Sequence, residues 1–330
     1  MKELIQEEIE KRSSGGLLKN VLLKLNITEV VVISFYFLLT IMNLIFMGRV
    51  EQWYLLIIVN AGVTAFVISA AHFDDKGKHR FWSAMHYWYL APLILLTFKE
   101  LYLMIRPIRM HDYDHLLIMA DRFIFGTDPT HVLLKIANPV LTEILQLAYG
   151  SFYILPVILG LNLYMQKRLT ALDFSLFAVV YGFFLSYIGY FLLPAIGPRF
   201  TLHDFYNTDT ELPGIFLTNL LREVVNTGES IPKGTPNPAS VVQRDVFPSG
   251  HTQMTLITMY LSVKFNVRSK YLLLPTGVLL IFATVYLRYH YVIDLIGGTI
   301  FMVLTMWSGR YLYNIWQKYK KEDIFTYDNV

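Results

Sequence analysis

Cysteine is absent from the 330 residues. That excludes disulfides, thiolate nucleophiles and cysteine-ligated metal centres, and it leaves the redox compartment undecided. Charge is also scarce. Only 16% of residues are Asp, Glu, Lys or Arg, against about a quarter in a soluble domain. The net charge is only +3, so nothing in the total points to nucleic acid as a partner. The stretch "MKELIQEEIEKRSSGGLLKNVLLKLN" mixes both charge signs. It lacks an uninterrupted apolar core with a cleavage site, so it does not read as a secretory signal. Residues 1–27 read instead as a cytoplasmic or interfacial segment, part of it an amphipathic helix on the membrane surface.

What the chain has in surplus is apolar surface. Hydrophobic residues make up 55% of it. They fall into blocks of about twenty, the length that crosses roughly 30 Å of hydrocarbon. Eight such segments can be drawn, near 28–48, 53–73, 81–105, 139–165, 172–194, 250–266, 270–291 and 293–314. The expectation is an all-α polytopic bundle of about eight spans. It forms one membrane-embedded domain over 28–314, with a catalytic core near 90–310 and a cytoplasmic tail at 315–330. "HDYDHLLIMADRFIFG", from residue 111, sets apolar residues at helical spacing with acidic residues between them. It suits an interfacial helix near 111–125. With the N-terminus inside, 17 of the 28 Lys and Arg residues fall on the cytoplasmic side and ten outside, with Lys99 inside a span. This bias places both termini in the cytoplasm.

In that arrangement three segment ends meet at the non-cytoplasmic face: "LLPAIGPRF" (192–200), "FPSGHTQMT" (247–255) and "LRYHYVID" (287–294). His290 and Asp294 are spaced i, i+4, one helical face, so a carboxylate can hold one imidazole nitrogen and leave the other free. His251 sits at a helix start behind Ser249 and Gly250, where exposed amides suit an anion. Arg199 and Arg288 bring planar cations suited to phosphate oxygens. Two histidines, an orienting carboxylate, an amide nest and arginines fit phosphoryl transfer through a phosphohistidine. They fit a metal site less well, because Zn²⁺ usually takes three or four tightly spaced ligands. No metal or other cofactor is expected. Each feature alone has a bland reading. A histidine at a span end is usually an interface residue, and His72, His86, His111, His115 and His131 are read so. Joint occurrence on one membrane face favours function, since ionisable groups are costly there. The rival from another class is a non-catalytic transporter or scaffold that binds lipid headgroups.

"FPSGH" and "RYHYVID" resemble the second and third signature motifs of the phosphatidic acid phosphatase type 2 superfamily. The resemblance implies that His290 is the nucleophile, Asp294 its partner, and His251 the proton donor to the leaving group. "HYVIDLIG" (290–297) is closest to the inositol phosphorylceramide synthase and sphingomyelin synthase branches of sphingolipid metabolism, and "DYDHLLIMADRFIFGTDPT" (112–130) and "LLPAIGPRF" also resemble the inositol phosphorylceramide synthase-like branch. This implies a lipid phosphate or phosphodiester substrate, with water or a lipid hydroxyl as acceptor. Two departures stand out. The superfamily's third motif has an arginine six residues before the nucleophile, where this chain has Thr284, and the nearest arginine is Arg288. The first motif, K-x6-R-P, matches Lys99 and Arg106-Pro107 literally, but Arg106 lies 145 residues before His251. Arg199 lies 52 residues before it, the separation usual in the superfamily, and is favoured as the phosphate contact. The sequence says nothing about oligomeric state.

Overall fold

A computed structural model describes residues 21–73 and 88–327. Most of the expected N-terminal interfacial segment, the start of the third apolar segment with His86, and the last three residues lie outside the described residues. Among the described residues the chain is all-helical, with no strand. The longer helices are α1 (Ile27–Ile45), α2 (Trp53–Phe73), α3 (Leu90–Ile108), α4 (Asp114–Phe125), α5 (Pro139–Gly150), α6 (Ile154–Met165), α7 (Leu169–Leu192), α8 (Thr218–Gly228), α9 (Gly250–Lys264), α10 (Lys270–Tyr286) and α11 (Val292–Lys320).

The expected count of eight spans is not confirmed by the length and apolarity of the helices among the described residues. Among the described residues four helices qualify: α1, α2, α7 and α11. A fifth span is made if α5 and α6, which meet at a 54° bend, cross together. The expected spans at 250–266 and 270–291 are helices of 15 and 17 residues. At about 1.5 Å per residue they reach roughly 22 and 26 Å, the second at the lower limit for crossing roughly 30 Å of hydrocarbon and the first below it. The expected third span carries Lys99, Glu100 and Arg106 within α3. The interfacial segment forms as α4, closed at its C-terminus by left-handed Gly126.

Contacts divide the chain into two compact units, with boundaries at Thr97/Phe98 inside α3 and Arg310/Tyr311 inside α11. In the first, Asn26 and Glu29 form a reciprocal capping box that starts α1. The Tyr36 hydroxyl meets that of Thr97 at 2.8 Å, and the Trp316 indole donates to the Leu25 carbonyl. Phe37, Ile45 and Ile58 are exposed, as side chains facing lipid would be.

The second unit carries the site. Its centre is α7, most of whose side chains are buried. Gln253 on α9 is fully buried. Its amide donates to the Gly182 carbonyl and the Thr305 hydroxyl at 3.0 Å, and its oxygen accepts from Ser186. One side chain thus ties α7, α9 and α11 together with no unsatisfied group left in an apolar interior. The low hydrophobicity of α9 follows: it is packed by protein, and its Thr252, Thr255, Thr258 and Ser262 are all buried.

Candidate active site

The site forms where α10 ends, α11 begins and α9 begins. Helix α10 ends in a Schellman motif: Tyr289 N–H donates to the Thr284 carbonyl and Arg288 N–H to that of Val285. Arg288 takes the left-handed position usual for glycine, with φ of 68°. The chain then runs through Tyr289, His290 and Tyr291 before α11 starts at Val292. His290 therefore precedes α11 and does not share a helical face with Asp294. The two still meet, with His290 Nδ1 3.4 Å from Asp294 Oδ2. The nearer partner of Nδ1 is the Val246 carbonyl at 3.0 Å. The expected role of Asp294 as sole orienting group becomes a shared one. Asp294 is fully buried. Its carboxylate accepts the Tyr291 N–H at 2.7 Å and its carbonyl accepts the Ser249 N–H at 3.0 Å. One residue thus joins "HYVID" to "FPSGH".

With Nδ1 donating to Val246, Nε2 of His290 carries the lone pair. It faces Nδ1 of His251 at 3.4 Å. His251 lies in an aromatic layer: it stacks on Tyr149 of α5 at 4.6 Å and meets Phe152 at 4.3 Å. Tyr149 stacks in turn on Tyr289 at 4.4 Å, and the Arg199 guanidinium covers the other ring of that layer, 4.9 Å from Tyr289. The continuous stack Arg199–Tyr289–Tyr149–His251 sets the arginine and the second histidine in register. Arg199 is buried, pairs with Glu229 and donates to Asn226 at 3.0 Å. It lies on a short turn, Pro198–Thr201, entered through Gly197 at φ 93°. A Cβ there would stand 2.9 Å from the Tyr289 carbonyl, so only glycine lets this turn approach the histidine loop.

Ser249 is committed within the protein. Its hydroxyl caps α9 by accepting the Thr252 N–H, and its own N–H goes to Asp294. The first-turn amides left for an anion are those of Gly250 and His251. Gly298 of α11 packs against this start, where a Cβ would stand 2.6 Å from the Ser249 carbonyl. Arg288 has a different partner: its buried guanidinium pairs with Glu211. Its backbone carbonyl accepts the Arg199 N–H. The literal first motif is split. Lys99 donates to Gly228 O and Ser230 Oγ and feels the charge of Asp245, while Arg106 holds the Ser240 carbonyl.

Asp245 went unread in the sequence, although it stands just before "VFPSGH". Burial pushes its carboxyl above the usual carboxylate range, and the charges of His290, Arg199 and Lys99 pull it back. It stands within electrostatic reach of His290, Arg199 and Lys99. Asp114 and Asp121 were also missed as site builders. Asp114 accepts the N–H groups of Ile196 and Gly197 and the Tyr291 hydroxyl. Asp121 accepts those of Val292 and Ile293, and so supplies the cap that α11 lacks. The signal was their i, i+7 spacing with Leu117 between them, one face of α4. That face packs on Ala195, Val246 and Tyr291.

The PAP2 superfamily model matches residues 115–308. The chain belongs to the PAP2 superfamily. The matched region runs from α4 through the His251 and His290 segments into α11, and it includes every residue of the histidine pair and its arginine stack. Membership supports an enzyme of the lipid phosphatase or phosphotransferase type in a helical membrane fold. The match reaches the superfamily and no finer branch. No curated protein and no solved structure matches the chain.

Proposed function

We propose that this PAP2 protein transfers the phosphoryl group of a membrane lipid phosphate or phosphodiester through a phosphohistidine at His290. The observation that carries this reading is the polarity of the imidazole pair. Nδ1 of His290 is held by Val246 and Asp294, and its free Nε2 points at His251, 3.4 Å away. In the first step Nε2 attacks phosphorus, the bond to the leaving oxygen breaks, and His251 gives that oxygen a proton. In the second, the acceptor hydroxyl loses its proton to His251, its oxygen attacks phosphorus, and the P–N bond breaks. Arg199 and the amides of Gly250 and His251 bind the phosphoryl oxygens, with Lys99 adding positive charge beside Asp245. Water as acceptor gives a phosphatase. A lipid hydroxyl gives a phosphotransferase of the inositol phosphorylceramide synthase-like branch, the branch its "HYVID" and "DYDHLLIMAD" segments resemble. In the eight-segment layout the charge bias of the loops favours a site on the non-cytoplasmic face with both termini cytoplasmic.

The test is a panel of lipid phosphates and phosphodiesters, with and without hydroxylated lipids, scored for free phosphate against new phospholipid. Phosphate release alone supports the phosphatase, and acceptor-dependent phospholipid supports the phosphotransferase. A protein that binds these lipids and turns over none is a headgroup-binding transporter or scaffold.

A further inference from the structure

Helix α8 lies in the long loop between α7 and α9, and its surface is divided in three. Thr218 and Arg222 face inward and are buried. Leu221 packs on α5, with a side-chain carbon 3.5 Å from where a Cβ on Gly150 would stand. The exposed part splits lengthwise. Asn219, Glu223 and Thr227 form a polar stripe. Beside it, Leu217, Leu220 and Val224 form an apolar stripe that the preceding Phe216 extends. Leu220 is 59% exposed, Val224 60% and Phe216 86%. A helix exposed with both an apolar and a polar stripe suits the plane where lipid meets water.

Two observations say what covers the apolar stripe. First, it continues an exposed apolar surface on helices apolar enough to cross a membrane together. Val140, Ile144 and Leu147 on α5, then Ile154, Val157 and Leu161 on α6, are exposed along the bent pair that can form a span. Second, the stripe is fastened to that surface. Glu143 of α5, set among those exposed residues, accepts the N–H groups of Ile215 and Leu217 at 2.8 and 2.6 Å and the Thr218 hydroxyl at 2.7 Å. Phe216 is thus held beside the exposed apolar face of α5. The other end of α8 reaches the site, because Asn226 and Glu229 hold the Arg199 guanidinium.

We infer that α8 is a membrane-docked helix. It lays Phe216, Leu217, Leu220 and Val224 into the lipid leaflet beside α5 and sets Arg199 through Asn226 and Glu229. Docking stands on the surface alone. Its consequence for turnover rests on the proposed reading of Arg199 as a phosphate holder. In that state the helix that touches lipid also poises the arginine, so a substrate presented in a bilayer meets an assembled site.

The absence of cysteine makes the test direct. Phe216→Cys, Leu220→Cys, Val224→Cys and Glu223→Cys are each spin-labelled in the full chain, reconstituted in phosphatidylcholine vesicles. Collision with oxygen and with a water-soluble nickel chelate is then compared. Labels at 216, 220 and 224 should meet oxygen and be shielded from nickel, with 223 open to nickel. Nickel access at all four, or shielding from both probes as a second copy of the chain would give, overturns docking whatever the enzyme's chemistry. The double variant Leu220→Glu, Val224→Glu should lose at least about tenfold in rate on a long-chain lipid in vesicles and keep its rate on a short-chain soluble analogue. Equal loss on both overturns the coupling. Absence of turnover in the unmodified protein counts against the proposed function and leaves the docking result standing.

Discussion

The hydroxyl of Tyr291 donates a 2.8 Å hydrogen bond to the carboxylate of Asp114, across 177 residues of sequence. That carboxylate also holds the turn leading to Arg199, through the N–H groups of Ile196 and Gly197. Asp121, two turns along α4, holds the first amides of α11. Helix α4 is thereby the brace on which the arginine turn and the histidine loop are set to a common position.

Loss of either carboxylate leaves buried donors without an acceptor, at about 1–3 kcal/mol each. Asp114→Ala and Asp121→Ala should lower thermal stability in detergent. They should also reduce kcat at least about tenfold with KM little changed, since neither side chain is placed to touch substrate. Asp114→Asn, which keeps one acceptor, should recover part of the rate. Variants with lowered stability and unchanged kcat would reduce α4 to a scaffold.

The arginines separate by their partners. Arg199 is stacked and paired at the histidines, whereas Arg106 holds a loop carbonyl. A guanidinium that clasps a phosphoryl group cannot be replaced by lysine, which has no two parallel donors. Arg199→Lys should lose at least about tenfold in rate, about 1.4 kcal/mol of transition-state stabilisation. Arg106→Lys should stay near wild type. Lys99→Met should weaken substrate binding, because Lys99 lies within the electrostatic reach of Asp245. Kinetics of the three purified variants decide this, and a severe loss in Arg106→Lys alone would make the literal motif the working one.

The fold class and the histidine pair could be read from the sequence because they rest on local signals. Apolar blocks mark helices, and "FPSGH" and "RYHYVID" are compact motifs. What could not be read was long-range or cooperative. Apolar blocks alone did not reveal that α9 is short and is held by buried polar contacts such as those of Gln253. The i, i+4 reading of His290 and Asp294 placed them close for the wrong reason. Arg288 ends α10 before His290 in a left-handed turn, and no rule of periodicity assigns that role to an arginine. Tyr149 carried no signal at all, since its place in the stack depends on α5 packing against α10.

His203 gives the pH dependence. Burial, with the charges of Arg288 and His131 nearby, pushes its imidazole down to about 3, and Asp128 opposes them. Its ring nitrogen meets the Thr130 hydroxyl at 2.9 Å. The folded pKa lies below the unfolded value of about 6.5. The folded state therefore resists protonation of His203, and its contribution is present above about pH 6.5 and lost as pH falls toward 3. Thermal unfolding measured between pH 7 and pH 4 should show a fall in stability that His203→Gln makes shallower. An unchanged slope would place the titration elsewhere.

The proposed chemistry uses imidazole and guanidinium groups where other phosphatases use a Lewis acid. Turnover should survive thorough EDTA treatment. It should be inhibited by vanadate, which takes the five-coordinate shape of the transferring group. Loss of activity on chelation with recovery on adding Zn²⁺ or Mg²⁺ would contradict the scheme.

The central claim is the covalent phosphohistidine, and rapid-quench labelling tests it most directly. Purified protein is mixed with lipid substrate labelled at phosphorus, quenched within one turnover and digested for mass spectrometry. The account predicts one phosphorylated site, His290, labile to acid and stable to alkali. It predicts no label and no turnover in His290→Ala, which should still insert and purify. Turnover by His290→Ala, or a covalent phosphate on another side chain of the wild-type protein, would contradict it.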